Sequence, residues 1–363
     1  MVIPMYERGL PCRAGGAYRE VMKRHNGVVA ELGQARRERR CAVGRTDAMR
    51  RALKRRRKVG ELVSPYPNLY APPEYWKDLD RCQRSLHVAR GLSRLHPDWV
   101  FSGLTAADAY GFDHSWGLHD GVVYVADRSG DGIVDRRRIF DRLGNTAGSR
   151  SRHGGDAAEY GIRRLYMPSI TAVRVDGVPV TAAARTLIDC ALCIPFRYAL
   201  PIFDSAARKG VDMRSVKESC KGMHTDRAPI ESLLGCVDAN SENGGESLVR
   251  ASLIADGFAV PELQVEICDP SYPARRYRVD FLWRLYDGRM IVLEYDGMAK
   301  YEKPSMTRGR TAKQVLREQN DRDRALRAAG VTTILHCTYE DVAFSNGLFM
   351  MLRDAGVPRI RVE

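Results

Sequence analysis

Apolar and polar residues alternate with a period of two across Tyr277, Val279, Phe281 and Trp283, and again across Ile291, Leu293 and Tyr295. This is the spacing of strands with one face turned inward. Tyr286-Asp287-Gly288 between the two runs suits a three-residue hairpin loop with Gly288 in the left-handed conformation. Such a loop pairs Leu285 with Arg289. Counting back, it sets Leu282 opposite Val292, Asp280 opposite Glu294 and Arg278 opposite Asp296. Directly opposed carboxylates lie about 5 Å apart on one face and destabilise a sheet unless something compensates. A shared proton, a neighbouring cation or a metal ion would do so. Two readings follow: a site for Mg²⁺ or Mn²⁺, or an ion-paired patch with Arg278 and Lys300.

The flanking segments have helical and strand patterns. In "GGESLVRASLIADG", Glu246, Val249, Arg250 and Leu253 share one helical stripe, with Glu246 at the helix start on the inward side. Gln264 to Ile267 can form a strand. "TAKQVLREQNDRDRALRAAG" predicts a helix ended by Gly330, with Ala312, Val315, Leu316 and Leu326 on its apolar face. Gln319 and Arg322 continue that line, and polar groups on a core-facing stripe seek buried partners. "VTTILHCTYEDV" predicts a last strand, and residues 347–363 a final amphipathic helix and tail.

Upstream, the hydrophobic pattern alternates between helix and strand. "AYREVMKRHNGVVAELG" has helical spacing through Val21, Met22, His25, Val28 and Val29. A second helix, capped by Thr46 or Asp47 and ended by Gly60, carries Ala48, Met49, Ala52 and Leu53 as its apolar stripe. Arg50, Arg51, Lys54, Arg55, Arg57 and Lys58 cover the rest. A small hairpin follows, from Glu61-Leu62-Val63 to Leu69-Tyr70-Ala71. Further on, "SGLTAADAYGF" predicts a helix capped by Thr105 and ended by Gly111, and "GVVYVADR" a strand. "ITAVRVDGVPVTAAARTLIDCAL" predicts strand, turn, strand and a helix capped by Thr181, on which Arg185 and Asp189 can pair.

Charge sharpens this picture. Residues 1–60 hold 17 Lys or Arg against 5 Asp or Glu, almost the whole net charge of +13. A localised basic block is the electrostatic footprint of a polyanion partner. The order helix, basic helix, hairpin is that of a winged helix-turn-helix, whose basic helix would enter the major groove of DNA. No apolar run approaches membrane-spanning length and no export signal stands out. The nine scattered cysteines are therefore expected to be reduced and the protein cytoplasmic. Cys190 and Cys193 read as buried thiols rather than zinc ligands. His114 and His119, close to Asp113 and Asp120, read as a polar loop in preference to a metal cluster.

The basic head with "FSGLTAADAYG" and "GVPVTAAARTLIDCA" resembles the AbiEi family of antitoxin-type transcriptional regulators of type IV toxin-antitoxin systems, over roughly residues 20–200. That resemblance implies operator binding and a cognate nucleotidyltransferase-like toxin as partner. "GESLVR", "RVDF", "VLEYDGMAKY" and "RDRALRAAG" resemble the Vsr-like branch of PD-(D/E)XK nucleases, over about residues 240–342. It implies that Asp280 and Glu294 hold a divalent Mg²⁺ or Mn²⁺ with support from Glu246. Asp296 stands where the commonest motif has lysine, so Lys300 would supply the ammonium, with Gln319 and Arg322 beside the cluster. His336 occupies a position where relatives often have arginine.

The expected architecture is α/β multidomain: a winged helix-turn-helix over 1–75, an AbiEi-like α/β domain over 76–205, a helical linker over 206–240, a PD-(D/E)XK (restriction-endonuclease-like) core over 241–346, and a C-terminal helix and tail over 347–363. The expected function is DNA binding coupled to metal-dependent endonucleolytic hydrolysis. The alternative is a non-cleaving regulator or antitoxin.

Overall fold

A computed structural model describes residues 26–128, 161–297, 312–343 and 346–360. They form a mixed α/β chain with several small sheets, divided into two units. Val21, Met22, His25 and Lys300 lie outside the described residues, as do the side chains of Ala312, Val315 and Leu316.

The first unit comprises residues 26–101, 119–128 and 161–181. It begins with helix α1 (Asn26–Arg37), strand β1 (Ala42–Val43), helix α2 (Asp47–Lys58) and the hairpin β2 (Val63–Tyr66) and β3 (Leu69–Ala71). The sheet order is β1-β3-β2. Thr46 caps α2 by accepting from the Met49 backbone N–H at 3.2 Å. Helical geometry ends at Lys58, and Gly60 follows with φ +78°. The inward stripe of α2, Ala52 and Leu53, packs with Val28, Leu32, Ala35, Leu62 and Tyr70. Glu31 ties α1 to β1: it accepts from the buried Arg40 guanidinium at 2.5 Å and from the Val43 N–H at 2.9 Å. A Cβ at Gly44 would sit 2.9 Å from the Arg50 backbone nitrogen, so the chain can pass the start of α2 this closely only without a side chain.

Helices α3 (Pro73–Lys77) and α4 (Arg81–Leu95) precede a second sheet region in this unit. Strands β4 (Val122–Asp127) and β5 (Gly161–Tyr166) pair in parallel, and β6 (Ala172–Val175) and β7 (Val178–Thr181) form a hairpin. Asp176 and Gly177 between β6 and β7 are both left-handed, φ 45° and 78°, as a two-residue hairpin turn with matched twist requires. Phe101 bridges Val125 on one side and Val180 on the other.

The second unit comprises residues 102–118, 182–297, 312–343 and 346–360. Its helices are α5 (Gly103–Tyr110), α6 (Ala183–Cys193), α7 (Phe196–Arg208), α8 (Met213–Cys220), α9 (Ala228–Cys236) and α10 (Gly244–Ala255). A four-stranded sheet follows: β8 (Glu262–Cys268), β9 (Arg276–Arg284), β10 (Met290–Asp296) and β11 (Val331–Thr338), in the order β11-β10-β9-β8. Helix α11 (Ala312–Ala328) links β10 to its parallel neighbour β11, the connection a parallel pair needs. Two short helices, α12 (Tyr339–Ala343) and α13 (Gly347–Ala355), close the chain. Asp204 on α7 and Arg250 on α10 form a buried ion pair, 2.7 and 2.9 Å, that locks the two helices together.

Two expected caps move. The α5 helix begins after Ser102, whose carbonyl takes the first helical bond from Ala106 at 3.1 Å, so Thr105 is buried inside the helix. The Thr181 N–H bonds the Phe101 carbonyl at 2.9 Å and finishes β7, so α6 starts after Ala182 instead. Gly111 ends α5 with φ +65°, Arg185 pairs with Asp189 at 2.9 Å, and Cys190 and Cys193 are buried free thiols, all as expected.

The β9–β10 hairpin has the register set by its loop. Leu285 N–H bonds Arg289 at 2.9 Å, Gly288 has φ +85°, and Leu282 pairs with Val292. Strict alternation along β9, however, breaks at Asp280. Phe281 and Trp283 pack with Leu248, Val249 and Leu253 of α10, whereas Tyr277 and Val279 join Ala325 and Leu326 of α11. Strand β8 changes face at the same level: Leu263 packs toward α10 and Val265 toward α11. Between them stands Gln264 with φ +53°. The flanking pairs, Leu263 with Phe281 and Val265 with Val279, set Gln264 opposite Asp280.

Candidate active site: carboxylates where two strands part

The β9–β10 ladder runs from Met290 opposite Arg284 to Leu293 opposite Phe281. At the next level the Asp280 side chain takes over: its Oδ2 accepts the Tyr295 N–H at 2.9 Å. Arg278 therefore does not face Asp296 across a regular ladder. It pairs with Glu242 at 2.7 Å, while Asp296 Oδ2 lies 3.2 Å from His336 Nδ1 on β11. Of the alternative ion-paired patch, Arg278 thus pairs away from Asp280, and Lys300 lies outside the described residues.

Glu246 reaches the same place from the start of α10. Asn243 caps that helix, accepting from the N–H groups of Gly245 and Glu246 at 2.9 and 3.0 Å. Glu246 sits at the third helical position, where a carboxylate can reach back over the helix start. Its Oε1 accepts from Asn243 Nδ2 at 2.6 Å, and its Oε2 from the Glu242 N–H and Gln264 Nε2, each at 2.9 Å. A Cβ at Gly245 would overlap the Tyr295 ring, so this helix start can press against β10 only as glycine.

The third carboxylate, Glu294, accepts from Arg322 on α11, which also donates to the Arg278 carbonyl at 2.6 Å. Electrostatics link all three acids. Burial pushes the Glu246 carboxyl up to about 7, with the Glu242 hydrogen bond opposing and the charge of Asp280 adding to the rise. Burial also raises Glu294; Arg322 opposes this and Asp280 again adds to it. The Asp296 hydrogen bond raises His336. Asp280 is thus the shared electrostatic neighbour of the other two acids. Among the described residues, Asp280 Oδ1 and Glu294 Oε2 have no hydrogen-bond partner.

The structure brings Glu246, Asp280, Glu294 and Arg322 together, with Asp296 at the end of β10 beside His336. Gln319 is exposed, one turn before Arg322 on α11. Lys300 is outside the described residues. Sequence patterning gave no signal for Asn243 or Gln264, because one acts as a cap and the other from an irregular strand position.

In the first unit, Arg50, Arg51, Lys54, Arg55, Arg57 and Lys58 are all exposed on α2. Arg50 pairs with Asp47 one turn earlier. Arg56, on the inward line, is buried and donates to the Ala52 carbonyl at 3.3 Å. The basic residues of the last turn complement the carbonyl end of the helix.

The two histidines set aside as loop residues have other partners than the nearby Asp113 and Asp120. In the second unit, His114 Nε2 lies 2.8 Å from Asp108 Oδ1, both side chains fully buried. In the first, His119 Nε2 lies 3.6 Å from Cys82 Sγ. Each pair, Asp108 with His114 in the second unit and Cys82 with His119 in the first, consists of groups of metal-ligating type. Asp113 instead binds Arg208, and Asp120 accepts from the Val122 N–H at 3.0 Å. No helix among the described residues is long and apolar enough to cross a membrane.

No protein-family model, no curated protein and no solved structure matches this chain.

Proposed function

We propose that this is a DNA-binding protein whose second unit hydrolyses phosphodiester bonds with a divalent metal ion, on a restriction-endonuclease-like PD-(D/E)XK core. One observation carries the reading. Glu246, Asp280 and Glu294 converge from α10, β9 and β10 where the two middle strands part, and Asp280 opposes ionisation of both others. Like charges held this way call for a cation. The donors are all oxygens, the set that suits Mg²⁺ or Mn²⁺, and Asp280 Oδ1 and Glu294 Oε2 remain open to one. Asp280 and Glu294 would hold the ion, with Glu246 supporting it. The chemistry supplied by an ion bound there is activation of water and neutralisation of charge on the phosphate. The residues of the chain position it: Asn243, Glu242 and Gln264 fix Glu246, and the Tyr295 N–H fixes Asp280.

The exposed basic face of α2, in a helix–helix–hairpin order, supports a winged helix-turn-helix that takes DNA through phosphate and base-edge contacts. A second reading draws on Arg322. Its guanidinium already neutralises Glu294, as in a regulator or antitoxin that binds operator DNA, answers to a toxin partner and never cuts. Incubating the protein with plasmid and single-stranded DNA, with Mg²⁺, Mn²⁺ or EDTA and beside Asp280→Ala, tests the two. Metal-dependent cutting abolished in the variant is expected. A wild-type protein that shifts DNA mobility without cutting it under any of these conditions sinks the hydrolytic reading in favour of the regulator.

A further inference from the structure

We propose that Gln264 is a positioning residue of the carboxylate site, its amide nitrogen holding Glu246 and its amide oxygen offering a neutral donor to the bound divalent ion's shell. The inference rests on the metal-site reading above.

Gln264 has a backbone that its side chain does not favour. Its φ of +53° is left-handed, a region where glycine is free and asparagine tolerated but glutamine rare. Nothing about the strand alone selects glutamine there. The side chain accounts for the choice. Gln264 Nε2 donates to Glu246 Oε2 at 2.9 Å, across the gap between β8 and α10. The left-handed residue coincides with the face change of both strands, opposite Asp280. The same backbone kink thus turns the Gln264 amide toward Glu246 and accompanies the parting of β9 from β10 at Asp280.

The other end of the amide is the second observation. Gln264 Oε1 is buried and, among the described residues, has no hydrogen-bond partner. A buried amide oxygen without a donor is costly, and it belongs to the same amide group that grips Glu246. Amide carbonyls are ordinary ligands of hard divalent ions and of their water. A cation or its water beside the carboxylates would satisfy this oxygen; a packing role for Gln264 would leave it orphaned.

Folding and ion binding are read separately, which permits the test. Full-length wild type, Gln264→Gly, Gln264→Met and Asp280→Ala would be compared for thermal midpoint without metal and for Mn²⁺ affinity from the signal of free Mn²⁺ in electron paramagnetic resonance. Gln264→Gly relieves the left-handed strain while deleting the hydrogen bond to Glu246, two effects that oppose each other in the midpoint, so it should stay folded while binding Mn²⁺ at least fivefold more weakly. Gln264→Met keeps the bulk and lacks both polar atoms; it should show the same loss of affinity and supplies the answer if the glycine variant does not fold. A loss smaller than fivefold in a folded variant overturns the role of Gln264 alone. Wild type that binds no Mn²⁺, or binds it unchanged after Asp280→Ala, overturns the metal-site reading and this inference with it.

Discussion

Glu246→Gln gives a direct measure of how strongly the cluster resists charge. Glu246 is 5% exposed, and burial, with the charge of Asp280 adding to it, pushes its carboxyl from 4.5 to about 7. The folded protein therefore binds a proton that the unfolded chain releases near pH 4.5. Folding stability is greatest below that value and falls as pH rises toward 7, because the native state holds more protons over that window. A rise of this size corresponds to about 3 kcal/mol. Glutamine keeps the shape and cannot ionise, so the variant escapes this pH-dependent loss, although its amide nitrogen must face at least one of the three donors that Glu246 accepts from. Between pH 5 and pH 8 the stability of the variant relative to wild type should therefore rise by about 2–3 kcal/mol. For a unit of this size that is roughly 5–10 °C in melting midpoint. Thermal unfolding followed by circular dichroism across pH 4.5–8 reads the difference directly. With the proposed site, added Mg²⁺ at pH 8 narrows the gap by stabilising the wild type more than the variant, which keeps Asp280 and Glu294 but lacks the supporting Glu246 charge. Parallel wild-type and variant curves over this range would refute the account of Glu246 as a buried, charge-opposed acid.

Other perturbations have equally definite outcomes. Asp189→Asn removes a buried acid pushed up to about 7 by burial, only partly offset by Arg185; the variant should lose the part of the stability decline that wild type shows between about pH 4 and 7, read as a flatter melting profile. Gly245→Ala should destabilise the fold by about 1–3 kcal/mol through overlap with the Tyr295 ring, and a second change, Tyr295→Ala, should relieve the overlap; urea unfolding checks both. Lys54→Ala with Arg55→Ala should leave the melting midpoint within about 0.5 kcal/mol of wild type, because both residues are exposed. The same double change should lower the slope of log affinity against log salt by roughly 0.9 for each DNA phosphate that is no longer neutralised; an unchanged slope in a fluorescence-anisotropy titration removes α2 from the DNA interface.

The hairpin register was legible because Gly288 limits the loop to one geometry and Leu285 then pairs with Arg289. The basic face of α2 was legible too: helical spacing separates exposed Arg55 and Arg57 from buried Arg56. What patterning missed has a physical cause in each case. The face change at Asp280 depends on a left-handed glutamine in the neighbouring strand, and local preference disfavours that conformation for glutamine. Period-two counting therefore ran straight through the kink. Cap positions slipped at Thr105 and Thr181 because both threonines also fit inside the element next to the boundary. His114 and His119 were judged against sequence neighbours, whereas their partners Asp108 and Cys82 lie 6 and 37 residues away.

The outer position of β8 in the sheet makes its irregularity matter beyond the carboxylates. Among the described residues this strand borders the sheet, with β9 as its one neighbour. A straight border strand offers a continuous row of amides and carbonyls on which another polypeptide can assemble, the usual seed of fibrous association. The twist at Gln264 divides that row into two short pieces, and the acidic groups of Glu262 and Glu266 flank it with charge. Solubility of this unit at high concentration thus depends partly on the same bend that frames its acidic side chains.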